Sequence, residues 1–157
     1  MSRLRIFSDQ NPHVVLFETE QSDAMAEKLA TLGVGFERWP IRAINDHASN
    51  EEILAAYKPE IDELVINNGF KAVDVVSINP DHPDREIMRA KFLNEHIHKE
   101  DEIRFFVRGS GLFTMHIGNN VYEVLCQASD LIRVPDSTKH WFDMGPAPLF
   151  TAIRFFT

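Results

Sequence analysis

The stretch Glu95-His96-Ile97-His98-Lys99-Glu100-Asp101-Glu102-Ile103-Arg104 decides how this chain is read. In extended backbone, successive side chains alternate between faces, so His96 and His98 point the same way. A short turn at Lys99–Asp101 lets the strand resume, with Glu102 and Arg104 sharing a face. Two imidazoles and one carboxylate can then converge on a point. A fourth donor follows in Val134-Pro135-Asp136-Ser137-Thr138-Lys139-His140-Trp141, where a polar turn leads into a strand beginning with histidine. Three imidazoles and one carboxylate suit iron, nickel, manganese or zinc. Four protein ligands in an octahedral field leave two positions for a bidentate substrate or water. The competing reading is ordinary solvated or core histidine, since the chain has seven. A closed structural site is the other, but such sites are commonly rich in cysteine, and Cys126 is the only one here.

Around this stretch the sequence is punctuated like an antiparallel β protein. Segments rich in Phe, Ile and Val recur at Ile103–Arg108, Leu112–Ile117, Val121–Leu125, Asp130–Val134, His140–Phe142 and Phe150–Phe156. Gly109-Ser110-Gly111 and Gly118-Asn119-Asn120 between them read as hairpin turns. Short strands at this spacing predict a barrel or sandwich. The first ninety residues alternate instead. Leu4–Phe7, Val14–Phe17, Phe36–Ile41 and Ala72–Ile78 read as strands. Ser22 and Asn50 stand as N-caps of two helices, the second with Glu51 and Glu52 in its first turn. Pro59 stops or restarts that helix, Glu60–Ile66 continues on one apolar face, and Asp84–Phe92 predicts a fourth helical piece. The expected organisation is a mainly β chain with N-terminal helices, forming one domain over residues 1–157. Residues 1–92 supply helices and strands packed on a barrel, and residues 93–157 the strands that carry the metal site.

Composition excludes several classes. The chain has 157 residues, 24 acidic and 16 basic, for a formal net charge of −8. With no block of Lys or Arg, a nucleic-acid backbone or anionic membrane is an unsuitable partner. No apolar run approaches the roughly 20 residues of a membrane span, and the N-terminus has no signal-peptide pattern. A lone cysteine offers no internal disulfide. The expectation is a cytoplasmic protein, a monomer, acting on small molecules.

The residues carry a family resemblance. His96-x-His98-x-x-x-Glu102, followed by Gly109, resembles the first cupin motif, and Pro135-x-Ser137-x-x-His140 resembles the second. Ala90 stands where the first motif usually begins with glycine, and Met144 where the second often has asparagine. Lys91–His98, Asp101–Val107, Gly111-Leu112-Phe113 and His140–Gly145 resemble the acireductone dioxygenase family of methionine salvage. Phe36-Glu37-Arg38-Trp39 and Phe150–Arg154 extend the likeness across nearly the whole chain. Relatives of that kind continue into a tail with a Trp near the pocket, whereas this sequence ends at Thr157. The resemblance leaves two expectations open: that a pocket wall or lid is missing, or that the sequence is a shortened form.

The resemblance implies a cupin-type antiparallel barrel holding one Fe(II) or Ni(II) per chain. It implies a reaction of O2 with 1,2-dihydroxy-3-keto-5-methylthiopentene. Iron directs the reaction to 4-methylthio-2-oxobutanoate and formate; nickel directs it to methylthiopropanoate, formate and carbon monoxide. The expected ligands are His96, His98, Glu102 and His140. Arg104 is the expected catalytic cation, stabilising an ionised enediol. Phe92, Phe142 and Arg154 are expected in the substrate pocket, while Phe105, of opposite parity to Arg104, packs outward against a helix. Glu95 and Asp101 flank the ligands and are expected to act from behind them or in metal loading. His116 alternates with Thr114 and could face inward as a donor behind the ligands. Two rivals keep the same site: a cupin isomerase of a phosphosugar, which needs several free cations, and a non-catalytic ligand-binding cupin.

Overall fold

A computed structural model describes residues 1–157. Its elements are β1 (Arg3–Ser8), β2 (Asn11–Thr19), α1 (Ser22–Ala30), β3 (Gly35–Arg38), α2 (Asn50–Ala56), α3 (Lys58–Asn68), β4 (Ala72–Ile78), α4 (Arg85–Leu93), β5 (Glu102–Ile117), β6 (Asn120–Gln127), β7 (Asp130–Val134), β8 (Lys139–Asp143) and β9 (Phe150–Phe156). The long strand β5 belongs to two sheets. Its second half pairs with β6 and β8, and β1 and then β2 extend the sheet beyond β6. Its first half pairs with β7 and β9, which in turn carry β3 and β4. Every pairing is antiparallel, and the two sheets curl about a shared interior as a cupin-type barrel.

Strands β1, β3 and β4 pair directly with β6, β7 and β9 respectively, all from the second half of the sequence. The first ninety-two residues are thus woven into the sheets, where the sequence suggested that they pack onto a finished barrel. Side-chain pattern alone cannot assign a strand's partner, since pairing is a long-range choice.

The turn expected at Gly109-Ser110-Gly111 is not a hairpin: β5 runs straight through it. Gly109 has φ +71°, and a Cβ there would overlap the Leu149 carbonyl. The register against β9 slips between Phe106 and Arg108, as at a bulge. Inward parity changes accordingly. Glu102, Arg104 and Phe106 face the interior before the slip, and Phe113 and Met115 after it. The second expected turn is present, with Gly118 at φ +61° joining β5 to β6.

Two helix starts also differ by a residue. Ser22 is the first residue of α1, behind Gln21, and makes no cap. Ser49, not Asn50, caps α2: its hydroxyl accepts from Glu52 N at 3.1 Å while Ser49 N donates to Glu52 Oε1 at 3.2 Å. This reciprocal pair satisfies two otherwise orphaned donors. Ser49→Ala is expected to cost about 1 kcal/mol, read as a lower midpoint in urea with an unchanged slope.

Two apolar clusters result. Inside the barrel, Leu4, Ile6, Met115, Tyr122, Val124 and Ile132 pack with Met25 and Leu29 of α1. On the outer face of the β3–β7–β5–β9–β4 sheet, Ile103, Phe105, Ile153 and Phe155 pack beneath Ile53, Tyr57 and Ile61 of α2 and α3. Phe105 therefore faces a helix, as its parity requires, and Trp39 stacks on it with ring centroids 4.4 Å apart. Strand β2 is an edge with Val14–Phe17 exposed; Pro12 and two register slips against β1 blunt it.

Candidate metal centre

His96 and His98 lie just before β5, outside any regular strand, so simple strand alternation does not orient them. Backbone pairing across the two motifs does. His96 N donates to His140 O at 2.9 Å and His140 N donates to His96 O at 3.0 Å. Ser137, at φ +61°, donates its N–H to His98 O at 2.8 Å. The two polar segments clasp each other, bringing the three imidazole centroids to 4.3, 4.8 and 5.1 Å apart. Glu102, the first residue of β5, completes the group. One donor atom from each of the four side chains lies within 4.8 Å of every other.

The protons on these rings follow from their partners. His96 Nδ1 is 2.6 Å from Asn94 O, and His140 Nδ1 is 2.8 Å from Thr138 O. A carbonyl only accepts, so each Nδ1 carries the hydrogen and each Nε2 keeps a lone pair for the centre. In both cases the carbonyl belongs to the residue two positions before the histidine. The sequence contained these acceptors, but backbone carbonyls leave no signature in residue type.

His140 Nε2 and Glu102 Oε2 lie 2.5 Å apart, and His98 Nε2 lies 3.4 Å from the same oxygen. Both Glu102 Oε2 and His140 Nε2 are buried without a hydrogen-bond partner. A lone pair thus faces a carboxylate oxygen, an arrangement that requires a positive charge between them. Three neutral nitrogens and one oxygen anion match the donor chemistry of a divalent transition ion. These residues fit such an ion. Without one, a proton fills the need: burial disfavours charge on His140, yet Glu102 and the Thr138 carbonyl outweigh it and raise its pKa. Burial likewise works against ionised Glu102, but His140 and Arg104 overcome it and hold its pKa at about 2. Burial lowers the pKa of His98, which keeps it neutral and available as a donor.

Arg104 sits one inward position beyond Glu102 on β5. Its Nη2 is 2.9 Å from Glu102 Oε1, and Nη1 donates to Ile103 O at 2.9 Å. It also borders the cavity and lies over the Phe156 ring at 5.7 Å. Arg154 stands directly opposite on β9. Asp74 grips it through two hydrogen bonds of 2.7 and 2.6 Å, so its charge is largely matched.

A cavity of about 460 Å³ opens beside the four donors. Its polar end holds Lys91, Asn94, Arg104 and Arg154; its far end is apolar, with Phe92, Phe106, Phe113, Phe142 and Phe150. Phe92 and Phe142 meet edge to face at 6.5 Å. Lys91, Asn94 and Phe156 were not singled out from sequence. Lys91 was hidden because its role depends on how α4 docks against β8.

The flanking acids lie behind the donors. Glu95 is half exposed and 3.6 Å from His116 Nδ1, while His116 Nε2 is 3.1 Å from Asp9 Oδ2. His116 thus points toward two acids and away from the barrel interior. Asp9, from the β1–β2 turn, was not anticipated; its hydrogen bond with His116 lowers its pKa. Asp101 bonds Arg133 Nε at 2.8 Å and accepts from Asp136 N at 3.0 Å. It anchors the turn between His98 and Glu102 and does not reach the four donors. Cys126 is fully buried, and burial pushes its thiol pKa well up, so it is an inert core residue.

Three imidazoles and a carboxylate gathered inside a curled antiparallel barrel place the molecule among cupin-type metalloproteins. A model of the ARD/ARD' family matches residues 3–157. The acireductone dioxygenase of Xylella fastidiosa (strain 9a5c) is 58% identical over 158 residues, covering all of this chain and 84% of the relative. That of Xanthomonas oryzae pv. oryzae (strain MAFF 311018) is 59% identical with the same coverage. Among solved structures, acireductone dioxygenase from Bacillus anthracis with a cadmium ion in its active centre superposes with a TM-score of 0.85. It is 29% identical, and the match covers 99% of this chain and 92% of that one. The chain belongs to the ARD/ARD' family.

Proposed function

We propose that this chain is a metal-dependent dioxygenase that cleaves 1,2-dihydroxy-3-keto-5-methylthiopentene with O2. With iron it yields 4-methylthio-2-oxobutanoate and formate, the methionine-salvage outcome; with nickel it yields methylthiopropanoate, formate and carbon monoxide. The observation that carries this reading is that the four gathered donors line one cavity together with a cluster of phenylalanines. Curated relatives with this name match the full chain at 58–59% identity.

His96, His98, Glu102 and His140 would hold one Fe(II) or Ni(II). When bound, such an ion acts as Lewis acid and template, favouring the ionised enediol and orienting it toward O2. The remaining work belongs to the chain. The Asn94 and Thr138 carbonyls hold the hydrogen on Nδ1 of His96 and His140 and fix each ring so that Nε2 faces the centre. Arg104 orients Glu102 through one nitrogen and offers its charge to the ionised substrate oxygens. Phe92, Phe106, Phe113, Phe142 and Phe150 exclude water and receive the methylthio tail, with sulfur against ring edges. A phosphosugar is a poorer fit, because Arg154 is already matched by Asp74 and Arg104 is shared with Glu102. Glu95 and Asp101 act from behind, through His116 and Arg133 respectively, by holding the loops on which the donors ride.

Residues 1–157 act as one unit, since each sheet contains strands from both halves of the chain. The chain works as a cytoplasmic monomer on small molecules, without nucleic acid or membrane. Its acidic balance, 24 acidic against 16 basic residues, disfavours nucleic-acid backbones and anionic membranes as partners.

The test is product analysis on protein stripped of metal and reloaded separately. Iron-loaded protein should consume O2 with the acireductone and release the ketoacid with formate. Nickel-loaded protein should release carbon monoxide, trapped and quantified, together with methylthiopropanoate. The same product mixture from both fully loaded forms would overturn the metal-directed outcome, and no O2 consumption by either would overturn the dioxygenase reading.

A further inference from the structure

The aromatic end of the cavity is organised around one ring. Phe142 lies 4.8 Å from Phe113, 5.5 Å from Phe150, 6.3 Å from Phe106 and 6.5 Å from Phe92, measured between centroids. Four other phenylalanines therefore neighbour it. Behind it is Gly111 of β5, two residues before Phe113 on the same strand face. A Cβ at Gly111 would overlap Phe142 Cζ and Cε1, with Cε2 at 3.4 Å. The ring occupies the volume that any other residue at position 111 would fill.

Gly111 has no positive φ, so left-handed backbone does not explain its glycine. Nor can its strand withdraw to make room. Gly111 is paired with Cys126 of β6 on one side, and the next residue, Leu112, with Asp143 of β8 on the other. The adjustable partner is the Phe142 ring, and its open side is the cavity. Ordinary carbon–carbon contact needs about 3.5–4.0 Å, so a methyl at position 111 would drive the ring forward by roughly 1 Å or more.

We propose that Gly111 sets the depth of the apolar end of the cavity by seating Phe142, and thereby sets the length of substrate tail that the enzyme accepts. This rests on the reading of that end as the methylthio subsite. Gly111 touches no substrate; it is a positioning residue acting through Phe142. Its consequence is selective. Shortening the cavity penalises a long tail and spares the enediol end, where the metal donors and Arg104 lie. One methylene more or less in an apolar pocket changes kcat/KM by about 10- to 200-fold.

The test uses metal-loaded Gly111→Ala with two acireductones, one carrying the methylthio tail and one in which hydrogen replaces the methylthio group. For the methylthio substrate kcat/KM should fall about 10- to 100-fold, mainly through KM, while the short analogue changes by less than about threefold. Metal content should stay at one per chain. A crystal structure of the variant should show the Phe142 ring displaced toward the cavity. The double variant Gly111→Ala/Phe142→Leu should recover much of the methylthio activity, because the smaller side chain returns the lost volume. If Gly111→Ala does not fold, Phe142→Leu alone serves: it should raise kcat/KM for a propylthio substrate relative to the methylthio one. Equal loss on both substrates with an unmoved ring, or an unchanged length preference in Phe142→Leu, would overturn the proposal. If wild-type protein turned over neither acireductone, the functional reading would fall instead. The ring position in Gly111→Ala would then still decide whether Gly111 sets the depth.

Discussion

Glu102→Gln is expected to leave a folded barrel that no longer retains a divalent ion. Glu102 is the only anion among the four donors, and Arg104 lies 2.9 Å from its other oxygen. Removing the carboxylate charge leaves neutral imidazoles beside a guanidinium, so an arriving dication meets net repulsion where it met attraction. Loss of a residue that merely supports a ligand costs metal affinity about 10- to 100-fold. Loss of this one should exceed about 100-fold, and turnover should fall with occupancy. The amide keeps the shape of the side chain and can still accept from Arg104, so the barrel should survive. Metal analysis after dialysis against a weak chelator, with circular dichroism as the folding control, checks both halves. Full retention of iron or nickel by the folded variant would remove Glu102 from the ligand set.

The second large effect is expected at Arg104. Arg104→Ala should keep one metal per chain yet lose about 10²- to 10³-fold in kcat/KM, equivalent to about 2–4 kcal/mol of transition-state stabilisation. The reason lies in its neighbours. Of the two facing arginines, Arg154 is held by both oxygens of Asp74, whereas Arg104 shares one nitrogen with Glu102 and borders the cavity. Its side chain is only 17% exposed, so water screens it little. A cation there acts strongly on negative charge developing in the enediol. Arg104→Lys should recover only part of the loss, because a single ammonium cannot contact Glu102 and substrate with the same fork. Unchanged turnover by a metal-replete Arg104→Ala enzyme would reduce Arg104 to a partner of Glu102.

Several decisive features were legible in one dimension because they depend on residue type and short spacing. The four donor residues, the inward parity of Glu102 with Arg104, the outward parity of Phe105 and the β-rich second half all follow from local pattern. So does the family likeness, whose motifs are short and rigidly spaced. The readings that shifted were those in which a residue type serves two purposes. Gly109 looked like a turn because glycine permits turns. Its purpose is a close approach to the Leu149 carbonyl inside a continuous strand. Ser49 and Asn50 are both good caps, and only backbone geometry distinguishes them.

Tertiary structure alone decided what pairs with what. Local pattern could not show that β1, β3 and β4 enter the sheets, that His96 bonds back to back with His140, or that Asp74 occupies Arg154. Nor could it show that the Gly111 vacancy is filled by Phe142. Each of these joins residues dozens of positions apart. Such contacts form when the chain closes on itself, and their partners are selected by the packing of the whole barrel. The four side chains that gather as donors could therefore be named from the sequence, while their tautomers, their matched charges and the shape of the cavity came only with the fold.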